Sequence, residues 1–326
     1  MLFVLQSKII IGKYTFSTIT DVQIVKSVTN LCDTATIQMP TNFKVKSKDK
    51  EKLVSVEEAI KKGDEVEIYL GYENKYFGLE FKGYVSKISP KYPIEIQCED
   101  SIFLLRNRVF NKTFNEPTEL KDILQFLVKD LPIKLSDKIP KFKFNKYIIK
   151  NANGAQVLQD FKQNYLLTSF IDDDDKLFVG LQQDINNQKL CAYDLNHNIV
   201  ENNLEFAEPV DDLVQFVGIY NDEKNKEHIY KIGKEGGSVR ETNFKRSIND
   251  FQLMKRLIDE QYRTYLNGKY SGSLKTFLIP FATRGMAAKI IDSDHVNRGG
   301  QYFIEKVSVS FGSSGARRDV YISNIL

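Results

Sequence analysis

Gly63-Asp-Glu-Val-Glu-Ile-Tyr-Leu-Gly71 opens on a turn dipeptide and then alternates polar with apolar positions. Val66, Ile68 and Leu70 fall on one face of an extended chain, and Glu65, Glu67 and Tyr69 on the other. A strand of this kind buries one side and wets the other, as antiparallel sheets do. The same pattern recurs outward from it. Upstream, Ile19–Val28 reads as a strand, and Asp33-Thr-Ala-Thr-Ile-Gln-Met39 as another, stopped by Pro40. Downstream, Phe81–Ile88 and Ile94–Cys98 follow, separated by Pro90 and Pro93. Short strands with frequent turn signals predict a barrel or sandwich over 1–112.

Helical spacing enters after Pro117. Leu120, Ile123, Leu124, Leu127 and Val128 share one face behind Thr118 as N-cap, and Val157, Leu158, Phe161 and Tyr165 form a second stripe. Lys146–Ile149, Leu167–Ile171 and Lys176–Leu181 read as strands, so 113–194 is a small α/β unit. From 195 to 326 the strand pattern returns, in Leu213–Tyr220, His228–Ile232, Leu274–Pro280, Met286–Ile291, Gln301–Phe311 and Val320–Ile325. One helix interrupts it. Met254, Leu257, Ile258, Tyr262 and Tyr265 mark its stripe, Gly268 its C-terminal end, and the last β region its core. The expected fold is mainly β (α+β), with two β-barrel-like regions flanking a small α/β unit.

Composition narrows the function. Among 326 residues, 22 Phe and 16 Tyr with no Trp favour strands. A net charge of +3, with acidic and basic residues interleaved, does not support sequence-specific nucleic-acid binding. Cys32, Cys98 and Cys191 are far apart and form no CxxC pair, so they read as small buried hydrophobes and not as metal or redox ligands. The opening MLFVLQSKIIIGKYTF is broken by Gln6, Ser7 and Lys8 and reads as a strand and not a leader, and no apolar run reaches the roughly 20 residues a spanning helix needs. No membrane insertion is expected.

Four landmarks, in order, carry a family resemblance. They are Asn30-Leu-Cys-Asp-Thr-Ala-Thr-Ile-Gln-Met-Pro40; Gly63–Gly71 followed by Phe81-Lys-Gly-Tyr-Val85; Ile96-Gln-Cys-Glu-Asp100 ahead of Leu104-Leu105; and Arg284-Gly-Met-Ala-Ala-Lys-Ile-Ile291 with Gly300-Gln-Tyr-Phe-Ile-Glu-Lys-Val307. In this order the chain resembles phage baseplate hub proteins: the late control protein D family, Mu-like tail hub proteins and the N-terminal region of type VI secretion spike proteins. Gly285 departs from the family in lacking the usual preceding proline. The resemblance implies a homotrimer whose two β regions per subunit build a pseudo-sixfold ring between a tail tube protein and a tail spike protein. It implies a structural role without catalysis or cofactor, in the virion tail baseplate, after assembly in the bacterial host cytoplasm. The hub of a type VI secretion or other contractile injection system is the nearest alternative. A carbohydrate-binding or cell-wall-hydrolysing tail component is the alternative from another class.

Individual clusters have plainer readings. Asp172–Asp175 has carboxylates that suit Ca²⁺ but lacks the spacing of an EF-hand, and reads as a solvated hairpin turn. His197, His228 and His295 are scattered among polar residues without a nucleophile elbow or a zinc-helix motif, and read as surface residues. Glu99-Asp100 and Asp211-Asp212 are adjacent pairs, which a strand points to opposite faces and away from a shared cleft. Gly236-Gly-Ser238 and Gly312-Ser-Ser-Gly315 match no phosphate-binding spacing and read as loops. No catalytic, cofactor-binding or metal-ligating residue is assigned. Lys44, Lys46, Lys48, Lys50 and Lys52 remain as a partner-contact candidate: a loop that is either a solvated run or a docking element for acidic surface on a neighbouring tube or baseplate protein.

Overall fold

Strand Glu65–Tyr72 has Val66, Ile68 and Leu70 fully buried, on the face its alternation predicts. It lies between Leu5–Ile11 and Tyr76–Ser89, with Ile9 opposite Ile68. The computed structural model describes residues 4–17, 19–47, 50–144, 146–165, 167–182, 185, 189–208, 213–222, 226–244, 251–266 and 269–325. The protein is mainly β, as its patterning implies. A 13-stranded sheet runs from Tyr14–Phe16 through Leu5–Ile11, Glu65–Tyr72, Tyr76–Ser89, Ile94–Glu99 and Thr34–Met39 to Asp21–Ser27. It continues through Gly300–Gly312, Gly315–Ile325 and Lys269–Thr276 to Glu201–Ala207, while Ala287–Ile291 and Leu190–Asp194 branch from the start of Gly300–Gly312.

The two outer regions thus meet in one sheet. Their seam is the antiparallel pairing of Asp21–Ser27 with Gly300–Gly312, in which Lys26 faces Val307 and Phe311 faces Val22. One apolar core serves both halves: Ile37, Ile68 and Ile96 from one side join Leu274, Ile304 and Val320 from the other. Inside it, Arg318 and Glu80 are each 1% exposed and form a two-pronged ion pair, Nη2–Oε1 2.7 Å and Nη1–Oε2 3.2 Å. Arg318 also donates to the carbonyls of Ala282 and Leu278, and the Tyr76 hydroxyl donates to Glu80. A buried charge is tolerable only when paired and hydrogen-bonded in this way.

A second core gathers helix Leu120–Val128, through Leu120, Ile123, Leu124 and Leu127, with helix Gly154–Tyr165, through Val157, Leu158 and Phe161. Helix Phe251–Leu266 covers a sheet, as its stripe predicts. That sheet is the three-stranded one formed by Glu227–Gly233, Val214–Asn221 and Ser238–Asn243, and Met254, Leu257 and Ile258 belong to this second core and not to that of the large sheet. Gly218 permits the fit, since a Cβ there would stand 2.7 Å from Ile258 Cγ1.

Several local expectations shift. Thr118 does not cap the first helix: it belongs to a two-residue bridge, Thr118–Glu119, its hydroxyl donates to the Glu116 carbonyl, and Glu119 occupies the cap position without a side-chain bond. The strand expected over Leu274–Pro280 is Lys269–Thr276, because register with Glu201–Ala207 and Gly315–Ile325 places it earlier. The lysine segment is a hairpin and not a loop: Asn42–Ser47 pairs with Lys50–Ser55. Gly268 lies outside the described residues.

Candidate functional site

The features that bear on function are surfaces and the junction beneath the middle unit. On the lysine hairpin, Lys44 is exposed and sits opposite Leu53, Lys46 is in register with Glu51, Val45 with Lys52, and Ser47 with Lys50. Strand alternation therefore separates positions 44 and 46 from 50 and 52 onto different faces. The backbone places Lys46, Lys50 and Lys52 on the paired strands, and Lys48 lies outside the described residues.

The Asp172–Asp175 turn joins strands Thr168–Ile171 and Lys176–Gly180, as expected, but it is not simply solvated. Asp172 makes the turn, accepting from the backbone N–H groups of Asp174 and Lys176. Asp173 reaches into the large sheet, where its Oδ1 accepts from Arg284 Nη1 at 3.1 Å and from Lys26 Nζ and Thr283 Oγ1 at 3.4 Å each. Asp175 accepts from Lys82 Nζ at 2.7 Å and Ser101 Oγ at 2.9 Å. Burial works against the Asp173 carboxylate, but Lys26 and Arg284 prevail and hold it below the ordinary aspartate range.

Arg284, 4% exposed, is the centre of the junction. Its Nη2 lies 2.8 Å from Asp33 Oδ2, the same nitrogen donates to the Ile171 carbonyl, and its guanidinium sits over the Phe170 ring. Asp33 Oδ1 accepts from the Ser27 N–H, and the Asp33 N–H donates to Asp100 Oδ2 at 2.7 Å. Burial, and then the neighbouring Asp33, push Asp100 well above the ordinary carboxylate range; burial also raises Asp33, against the pull of Arg284 and Lys26. Two cavities flank this cluster. One of about 310 Å³ is lined by Phe170, Phe178, Lys176, Lys189 and Arg284, and one of about 170 Å³ by Lys26, Leu79, Lys82, Phe281 and Arg284.

The other sequence candidates stay apart. His197 pairs with Asp194 and His228 with Asp222, each at 2.9 Å across its own turn, and the His295 N–H donates to Asp292. Glu99 binds Arg106 Nε at 3.0 Å while Asp100 turns inward, so that pair shares no cleft; Asp211-Asp212 lies outside the described residues. Cys98 and Cys191 are buried, and burial followed by the Asp100 charge pushes the half-buried Cys32 thiol up to about 12. Among the described residues no three His, Cys, Asp or Glu side chains converge as metal ligands. Sequence reading missed both buried arginines. For Arg318 a signal existed, because Ala316, Val320 and Ile322 share its strand parity and all are buried.

No family model and no curated protein matches the chain. Solved structures do. A tail protein of prophage MuSo2 from Shewanella oneidensis superposes with a TM-score of 0.65 at 13% identity, over 98% of both chains. A tail protein from Neisseria meningitidis gives 0.65 at 9% identity, over 98% of this chain and 96% of the other. An E. coli protein that is a component of the type VI secretion system, itself similar to T4 bacteriophage tail proteins gp27 and gp5, gives 0.59 at 9% identity, over 98% of this chain and 77% of the other. Over nearly its whole length, the chain has the fold of these tail proteins, one of them from a prophage, and of a type VI secretion component.

Proposed function

We propose that this chain is a structural baseplate hub subunit of a phage tail. In this reading three copies close into a ring, the regions 1–112 and 195–326 supply its two quasi-equivalent parts, and 113–194 is the inserted unit. The ring joins a tail tube protein on one face to a tail spike protein on the other, in the virion baseplate, after assembly in the bacterial host cytoplasm. No reaction chemistry is assigned to it.

The observation that carries this reading is the superposition on these tail proteins across 98% of the chain, both β regions included. The architecture agrees with it physically. The sheet ends at Tyr14–Phe16 and Glu201–Ala207, each hydrogen-bonded within the large sheet to one neighbour. Cyclic closure uses one repeated heterologous contact and covers such edges. The similarity to the E. coli protein favours, as a second reading, the same hub role in a type VI secretion or related injection machine.

Light scattering across a concentration range tests the proposal. A stable species at three times the 37.6 kDa chain mass is expected, alone or with tube and spike proteins present. A chain that stays monomeric with both partners present overturns it and turns attention to the sugar-binding or peptidoglycan-cleaving alternative.

A further inference from the structure

We propose that the hairpin carrying Asp172–Asp175 is a keystone. It clasps the middle unit over the seam between the two sheet halves and holds those halves in one fixed relation. The inference concerns the chain itself and stands whether or not three copies form a ring.

Two independent sets of contacts place the hairpin there. The first is ionic. Asp173 and Asp175 engage Lys26 and Lys82 from the N-terminal half of the sheet, and Ser101 just beyond its strand Ile94–Glu99. Asp173 also engages Thr283 and Arg284 from the C-terminal half, and Arg284 in turn reaches back to Asp33. One four-residue turn therefore bonds to both halves. Lys26 belongs to the seam strand itself, paired there with Val307.

The second set is apolar. Val28, Phe170, Phe178 and Phe303 form a small buried cluster of their own, separate from both larger cores. Val28 follows the seam strand on one side, and Phe303 lies on the partner strand from the other half. Phe170 and Phe178, 5.3 Å apart between ring centroids, are the hairpin's wedge between them. The Val28 N–H donates to the Glu305 carbonyl across the seam, and Thr168 Oγ1 of the hairpin donates to the Val28 carbonyl. Elsewhere along the join the halves are held by strand pairing and the main core. At this end the middle unit adds the bond.

Geometry also makes the clasp separable. Both cavities are lined by Asp172, Asp173 and Arg284, so the turn borders open space, while Ile171 and Leu177 at its feet root the hairpin in the second core. Locally bonded elements next to open space are the ones that open below the global unfolding free energy.

Hydrogen exchange read segment by segment on the full chain tests this. In the Asp173→Asn, Asp175→Asn double variant, exchange in Thr168–Gly180 and in Asp21–Asp33 should rise about tenfold or more, the size of effect expected for losing charge-assisted bonds at a partly buried site. Glu65–Tyr72 should keep its protection. A second variant guards against simple misfolding. Exchanging the charges of the more exposed pair, as Lys82→Asp with Asp175→Lys, should bring exchange back toward wild type relative to Asp175→Lys alone. Unchanged exchange at the seam, a uniform rise along the whole chain, or failure of the charge exchange to restore protection would each overturn the keystone.

Discussion

Glu80→Gln should be among the most damaging single changes to this chain, although it alters one atom. The substitution keeps the side-chain volume and the Tyr76 contact but removes the charge that Arg318 faces at 2.7 and 3.2 Å. Both partners are 1% exposed, so solvent cannot take over. Breaking such a pair from one side costs about 3–5 kcal/mol, because the remaining charge is stranded. A guanidinium cannot shed its proton, so the loss should be the same at every pH where the chain folds. Arg318→Met strands the Glu80 carboxylate instead, buried and without its ionic partner. This variant should therefore cost a similar amount to Glu80→Gln. The double variant should lie closer to wild type than Glu80→Gln alone, since replacing a buried pair together is often near neutral. Urea unfolding followed by far-ultraviolet circular dichroism reads all four proteins. If Glu80→Gln unfolds within about 0.5 kcal/mol of wild type, below the ordinary effect of a core mutation, the pair does not hold the shared core and the reasoning fails.

Gly218→Ala should destabilise by about 1–3 kcal/mol, because the new methyl lands 2.7 Å from Ile258 Cγ1 and 3.1 Å from Met254 Cγ; an unchanged melting temperature would mean that helix Phe251–Leu266 does not press on that strand as described. Phe161→Ala removes a fully buried ring packed against Phe144 and Tyr147 and should cost about 3–5 kcal/mol in chemical denaturation, with a loss under about 1 kcal/mol arguing against a single second core. The raised Asp33 and Asp100 carboxyls face each other, Arg284, Lys26 and Asp173. Their contribution to stability is complete below the unfolded aspartate value of about 3.9 and is lost as pH rises through their folded values, whereas that of Asp173, held low, is lost as pH falls through its own. Asp100→Asn should flatten the first of these slopes, and an unaltered pH–stability profile would refute the assignment. Charge reversal of Lys44, Lys46 and Lys50 should weaken association with an acidic tube or baseplate partner at low salt, and unchanged tail assembly would leave the hairpin as a solvated edge.

Particular residues show how far the fold can be read ahead. Val66, Ile68 and Leu70 announce their strand because each inward position is apolar and the outward ones are not. Leu120, Ile123, Leu124 and Leu127 announce their helix in the same way. Patterning assigns a residue to a face but says nothing of which strand lies alongside. For that reason the seam between Asp21–Ser27 and Gly300–Gly312, drawn from opposite ends of the chain, was not legible. The same limit hid the allegiance of helix Phe251–Leu266, whose stripe fits either core. The hairpin at Lys44–Lys52 escaped notice because lysine, aspartate and glutamate are depleted in strands and outweigh the short alternation of Phe43 and Val45 with Lys44 and Lys46. At the junction, the acidic turn was visible as a turn. Its role depends on Lys26, Lys82 and Arg284, which nothing local to Asp172–Asp175 reveals.

Class averages of the purified chain, imaged alone and with its tube and spike partners, bear most directly on the hub assignment. A closed ring with threefold symmetry and six similar lobes, two from each chain, is the predicted image. Discrete single chains under both conditions, with no closed ring in any class, would contradict it.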